Sequence, residues 1–238
     1  FTAQKQFSAS AAHELRTPLA VMQTNLEVFA RKKTPTIEEY QDIFGMIQNQ
    51  TERLSHLSEV LLDMTGIQSV ERSDSISLAE LTDEVCCDLA AIADQKKVEL
   101  IQEEGDCTVT GSYLLLYRAV YNLVENAIKY NHSGGKVTVK ISQKKDLPAA
   151  HSKPADCALV EVTDTGIGIS PEYQEKIFAP FFRVDKSRSR AMGGAGLGLA
   201  LVAEIARQHG GQVKVLASSK KGSTIALMLP INSPLIEI

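Results

Sequence analysis

The apolar residues of the first third of the chain fall into two narrow rows. Ala12, Leu15, Leu19, Met22, Leu26 and Phe29 alternate steps of three and four; after the polar break RKKTPTIEEY the rhythm returns as Ile43, Ile47, Gln50, Leu54, Leu57, Leu61 and Met64. That spacing is the seam of a heptad helix. Thr36 and Glu39 stand in capping-box spacing at the start of the second run. Two long helices joined by a short turn make an antiparallel hairpin. One stripe per helix cannot close a core, so two hairpins are expected to pair as a dimeric four-helix bundle through residues 1–68. Gln50 lies on the seam, either as a register device or as a tolerated polar slot. The chain begins at Phe1, inside the first helical pattern, and so reads as part of a longer protein that continues upstream.

Beyond the hairpin the pattern changes. QSVERSDSI carries charge and serine without periodicity and is read as a linker over 69–76. Ser77 and Glu80 open a helix to about Lys97. Short strands are expected at VELIQEE and CTVTG, a helix from Ser112 to Asn131, and strands at KVTVKISQK and ALVEVTDT separated by the long polar loop DLPAAHSKPAD. A short helix after Pro171, an irregular run from Ala179 to Ala195, a helix from Gly196 to His209 and strands QVKVLAS and STIALMLP complete the second domain, 77–232, followed by a tail at 233–238. Such a segregation of helices from strands predicts an α+β two-layer sandwich, and 238 residues suit two domains.

Composition narrows the function classes. With 25 basic and 29 acidic residues the net charge is −4, so nucleic acid is not expected as a partner. Cys86, Cys87, Cys107 and Cys157 show neither zinc-ligand spacing nor a disulfide framework. No stretch approaches the roughly 18 apolar residues of a membrane span, so any membrane association is expected through upstream segments.

Three stretches of the second domain could carry chemistry. In YRAVYNLVENAIKYN, Leu116, Val120, Leu123 and Ala127 share one helix face while Asn122, Glu125, Asn126 and Lys129 share another. Two amide oxygens one turn apart suit a hard cation such as Mg²⁺, with Lys129 for a phosphate; an exposed polar face is the plainer reading. VTDTGIGIS ends an apolar strand with Asp164, Gly166 and Gly168, which could accept from an amino group and admit a flat ring, although strand-end turns use the same residue types. MGGAGLGLALV places Gly194, Gly196 and Gly198 before a helix, where free backbone N–H groups bind phosphate. The preceding RVDKSRSRA, with Arg183, Lys186, Arg188 and Arg190, reads as a cationic lid or as solvated loop.

In this order the motifs resemble the sensor histidine kinases of two-component signalling, whose catalytic domains share the Bergerat ATP-binding fold with Hsp90, type II topoisomerases and MutL. HELRTPL resembles the H box, NLVENAIKY the N box, DTGIGI the first glycine box, IFAPFFR the F box and GAGLGLALV the second glycine box. The resemblance implies ATP and Mg²⁺ as cofactors, the metal at Asn126 with Asn122 beside it. Lys129 would meet phosphate, Tyr130 would flank the base, and Asp164 would accept the adenine amino group against a wall of Gly166 and Gly168. Phe178, Arg183, Lys186, Gly194, Gly196, Leu197, Gly198 and Thr224 complete the implied nucleotide set.

His13 follows the seam residue Ala12 and should project at the bundle edge. A neutral imidazole is nucleophilic near pH 7. Glu14 is expected to accept its proton, and Thr17, one turn on, to orient a water for the reverse reaction on a response regulator. Pro18 should bend the helix. The implied protein autophosphorylates His13, passes the group to an aspartate of a receiver domain, acts as its phosphatase, and forms the cytoplasmic portion of a membrane-anchored chain. A clamp-type ATPase, an inactive scaffold and an anti-sigma serine kinase are the alternatives. The hairpin with its H box argues against the first and third, and the intact asparagines, Asp164 and glycines against the second.

Overall fold

A computed structural model describes residues 2–67, 70–147, 155–184 and 196–231. They divide into a helical unit ending at Thr65 and a second unit beginning at Gly66.

The helical unit consists of α1 (Thr2–Ala30) and α2 (Ile37–Gly66). The turn between them is closed by a reciprocal capping box: Glu39 N–H donates to Thr36 Oγ1 (3.3 Å) and Thr36 N–H to Glu39 Oε2 (3.0 Å). Lys32 adds an ion pair to Glu39 at 2.6 Å. Phe29 and Tyr40 meet edge to face across the turn, their centroids 5.0 Å apart. Pro18 and Leu57 are buried, whereas the seam residues Leu19 and Leu26 remain about half exposed. A single hairpin therefore leaves part of its row uncovered.

The second unit contains β1 (Asp74–Ser77), α3 (Leu78–Lys96), β2 (Glu99–Gln102), β3 (Thr108–Gly111), α4 (Tyr113–Lys129), β4 (Lys136–Leu147), β5 (Ala155–Asp164), α5 (Gly198–Gln208), β6 (Gln212–Ser219) and β7 (Gly222–Pro230). Single 3₁₀ turns stand at Pro171–Tyr173 and Lys176–Phe178. The main sheet runs β2-β4-β5-β7-β6, antiparallel except for β2–β4, and β1 pairs with β3 in a separate ribbon. Helix α4 packs against α3, α5, β4 and β5. Its Leu116, Val120, Leu123, Val124 and Ile128, with Val139 and Val160 of the sheet, form the core of the unit.

Two elements depart from the sequence reading. Asp74–Ile76, taken as linker, is the start of β1; only Ile76 of this strand is fully buried, so no alternation marks it. Strands β4 and β5 extend to Leu147 and Ala155 inside the expected loop, of which 148–154 lie outside the described residues.

The helix starts are held from a distance. Ser77 Oγ accepts from Glu80 N–H (3.3 Å), and Asp106, on the approach to β3, accepts at Oδ1 from Ala79 N–H, Cys107 N–H and Ser77 Oγ. Asp74 Oδ2 accepts from Tyr113 N–H at the start of α4 (3.1 Å). Removing the Asp106 carboxylate leaves two backbone donors to water, so Asp106→Ala is expected to destabilise the second unit by about 1 to 2 kcal/mol. Urea denaturation measures this, and an unchanged midpoint contradicts the capping role.

Candidate functional site

The burial of one α4 face turns the opposite face, with Asn122 and Asn126, outward. Asn122 Nδ2 donates to Arg118 O (2.8 Å) and Asn126 Nδ2 to Asn122 O (2.7 Å). Each amide thus directs its nitrogen to the preceding turn, which orients its oxygen away from that carbonyl. Asn122 Oδ1 lies against the first residue of α5: a Cβ at Gly198 would stand 2.5 Å from it. Among the described residues no cluster of three His, Cys, Asp or Glu could hold a metal. A cation here would depend on amide oxygen and on oxygens of its ligand, the coordination Mg²⁺ accepts when it is carried by phosphates.

Lys129 closes α4. Burial pushes its ammonium pKa down, Glu125 partly restores it, and Lys96 and Arg183 push it down further. Lys96 Nζ donates to Lys129 O at 2.7 Å. An anion beside these cations would relieve their repulsion.

At the other end β5 delivers Asp164. Burial raises its pKa, against backbone hydrogen bonds from Gly166 and Ser223 that lower it; Gly166 N–H donates to Asp164 Oδ1 at 2.7 Å. Gly166 has no room for a side chain, since a Cβ would lie 2.5 Å from Tyr130 O and 2.9 Å from Asp164 Oδ1. Gly168 adopts φ +72° with a Cβ position blocked by Ser219 O. Tyr130 thus contributes its carbonyl to this wall, and also accepts there from Ile167 N–H (3.4 Å).

Thr224 does not join the site. Strand residues alternate between faces, and β7 places Ser223 opposite Asp164, whereas Thr224 pairs with Thr163, hydroxyl to hydroxyl at 3.0 Å on an exposed surface. The buried Ser223, which the sequence reading missed, takes the position beside Asp164, and its Oγ meets Ser218 Oγ at 2.9 Å. No local signal in the sequence separates the two hydroxyls, since the choice follows from the register of β7 on β5.

The second glycine run leads into the start of α5. Its N-cap residue, Leu197, makes no side-chain cap bond, an arrangement in which helix N–H groups can receive an anion. Gly196, at φ +73°, accepts from Phe181 N–H (2.8 Å), and a Cβ there would meet Phe182 O at 2.7 Å. The F-box and glycine-box segments are therefore locked together. Leu197 is a core residue with its side chain fully buried, so only its backbone can serve a ligand. Phe178 follows the buried Ile177 and is itself half-buried, as is Arg183. Lys186, Gly194, Arg188 and Arg190 lie outside the described residues.

In the helical unit His13 is exposed on α1. Glu14, expected to serve its imidazole, reaches instead across to α2, where its Oε2 lies 3.5 Å from Arg53 Nη2 in a largely shielded ion pair. Thr17 Oγ1 donates to His13 O at 3.1 Å. Its lone pairs stay open, but its proton is engaged.

Residues 3–69 match the His Kinase A (phospho-acceptor) domain, and residues 111–233 match the histidine kinase-, DNA gyrase B-, and HSP90-like ATPase family. The chain belongs to the histidine kinase family. It is 36% identical over 236 residues to the sensor histidine kinase RppB of Synechocystis sp., covering 97% of this chain and 50% of that protein. It is 32% identical to the sensor-like histidine kinase SenX3 of Mycobacterium tuberculosis, covering 96% and 54%. The chain thus spans about half the length of these relatives. The histidine kinase AdeS of Acinetobacter baumannii superposes with a TM-score of 0.70 at 22% identity, over 93% of this chain and 98% of that one. ThkA, solved in complex with the response regulator protein TrrA, gives 0.70 at 21%, over 95% and 61%. Both likenesses show a shared fold, a helical hairpin followed by a Bergerat α/β layer.

The raised pKa of Asp164 fixes a sign. A carboxyl whose folded pKa lies above its unfolded value adds stability below the unfolded value and loses it as pH rises through the folded one, so at neutral pH the ionised Asp164 opposes folding. Asp164→Asn is expected to melt no lower than the wild type at pH 7 while binding adenosine about tenfold more weakly or worse. A variant that loses stability but keeps adenosine affinity contradicts this assignment.

Proposed function

We propose that this chain is the kinase core of an ATP-dependent protein histidine autokinase of a two-component system. The observation that carries the proposal is the presence, on one chain, of an exposed H-box histidine, an acceptor carboxylate at Asp164 and a helix, α5, whose N-cap residue supplies no side-chain bond to its first turn. Residues 1–68 would dimerise and carry the phosphate, 69–76 would link, and 77–232 would bind ATP ahead of a short tail. Asp164 and Ser223 take the base edge, Gly166 and Gly168 its wall, and the α5 amides and Lys129 the phosphates. Asn126, with Asn122 beside it, would hold Mg²⁺, which would neutralise phosphate charge.

A ring nitrogen of His13 forms the N–P bond as the bond from the γ-phosphorus to the bridging oxygen breaks, and ADP leaves. The imidazole proton passes to Glu14, which must first exchange its Arg53 partner. The phosphoryl group then moves to an aspartate of a receiver domain, the class of partner named in the ThkA complex. The open lone pairs of Thr17 suit it to orient the water that removes phosphate from that partner. The uncovered Leu19 and Leu26 suit a second hairpin. Among the described residues no helix is long and apolar enough to cross a membrane, so anchoring would come from elsewhere in the full-length protein.

Incubation with γ-labelled ATP and Mg²⁺ tests this reading. Acid-labile phosphate is expected on His13, and His13→Gln should bind Mg·ATP within about twofold yet take up no label, since nucleophile and pocket lie in separate units. Thr17→Ala should keep its label while loss of phosphate from the regulator slows about tenfold, a barrier change of about 1.4 kcal/mol. Label persisting on the Gln variant moves the site elsewhere.

A further inference from the structure

His209 follows α5 and has no part in the reading above, yet its ring is buried and both its nitrogens are engaged. Nδ1–H donates to Ile205 O at 2.8 Å, which leaves Nε2 as an acceptor for Ser112 N–H at 3.1 Å, the amide immediately before α4. Burial lowers its pKa, the bond to Ile205 raises it, and Arg72 nearby lowers it again; the net shift is downward and keeps Nε2 an acceptor. The surroundings are closed. A Cβ at Gly111 would stand 2.6 Å from the ring's Cδ2, and the next α4 amide, Tyr113 N–H, is already taken by Asp74.

Helix α5 thus touches α4 at two places of known sequence position. Gly198, its first residue, lies against Asn122, and His209, just past its end, is bonded to Ser112. The helices therefore run antiparallel between these points. The intervals are ten residues on α4 and eleven on α5, about 15 Å and 17 Å at the helical rise. Two contacts at opposite ends of nearly equal lengths fix how far one helix can slide along the other.

We propose that His209 is a positioning residue of the nucleotide site: its neutral ring anchors α5 to the start of α4 and thereby sets the spacing between the phosphate-binding amides at Gly198 and the amide oxygens of Asn122 and Asn126. The inference rests on the ATP-binding reading. It concerns only the phosphate end, because the base edge is built from β5, β7 and the turn after Asp164.

That division supplies the test. The whole chain is titrated calorimetrically with Mg·ATP and, separately, with adenosine. His209→Asn keeps a donor for Ile205 O but is too short to reach Ser112, whereas His209→Gln presents an oxygen near the place of Nε2 and does not titrate. The Asn variant should bind Mg·ATP about tenfold more weakly and adenosine within about twofold of wild type, and the Gln variant should recover most of the Mg·ATP affinity. Thermal melts run alongside separate positioning from loss of fold. Equal weakening of both ligands, unchanged Mg·ATP binding in the Asn variant, or no recovery in a folded Gln variant overturns the proposal. A wild type that binds neither ligand overturns the nucleotide reading itself.

Discussion

The buried face of α4, from Leu116 to Ile128, fixes the rotation of that helix against the sheet, and the rotation fixes where Asn122 and Asn126 project. Burying five large side chains on one face is worth several kcal/mol, at roughly 1.5 to 3 kcal/mol for each, so the two amides do not need to contribute to stability. Their nitrogens bond to the preceding turn, and the proposed metal role falls to their oxygens. The rest of the unit is arranged around this helix. Gly198 admits α5 against Asn122, the Tyr130 carbonyl meets the first glycine box, and Asp74 with His209 secures the opening amides.

The helical unit follows a different economy. Part of its apolar row is left uncovered, and the proposed phosphoacceptor His13 stands beside that row. Pro18 removes the backbone donor that would have met the Glu14 carbonyl, and Thr17 bonds back to the His13 carbonyl within the same turn. Glu14 is drawn to Arg53 on the neighbouring helix. His13 therefore sits on a turn with altered backbone pairing, next to a carboxylate paired with Arg53 of α2.

Much of this could be read from the residues. The two heptad rows, the capping boxes at Thr36 and Ser77, the α4 faces and the glycine positions all follow local periodicity or a local backbone demand, which a sequence carries openly. Long-range pairing is less visible. Strand β1 buries little, so nothing periodic marks it, and Asp106 caps a helix that begins 28 residues earlier in the chain. The choice between Ser223 and Thr224 depends on a strand register that pairs β7 with β5, and an adjacent hydroxyl on the wrong face looks identical in the sequence. Leu197 lies inside a glycine motif but packs as core, because the helix start must be anchored as well as open. Glu14 adjoins His13 in sequence while its side chain answers to α2.

The central claim is that one helix serves both the core and the metal, with the Asn126 amide oxygen as the protein's ligand. A crystal structure of this chain with Mn²⁺ and a non-hydrolysable ATP analogue tests it directly. The account predicts an anomalous peak within coordination distance of Asn126 Oδ1, with the phosphates between that peak and the first turn of α5 and the Asn126 nitrogen still bonded to Asn122 O. A metal bound away from α4, or an Asn126 side chain turned to solvent while nucleotide fills the pocket, would contradict it.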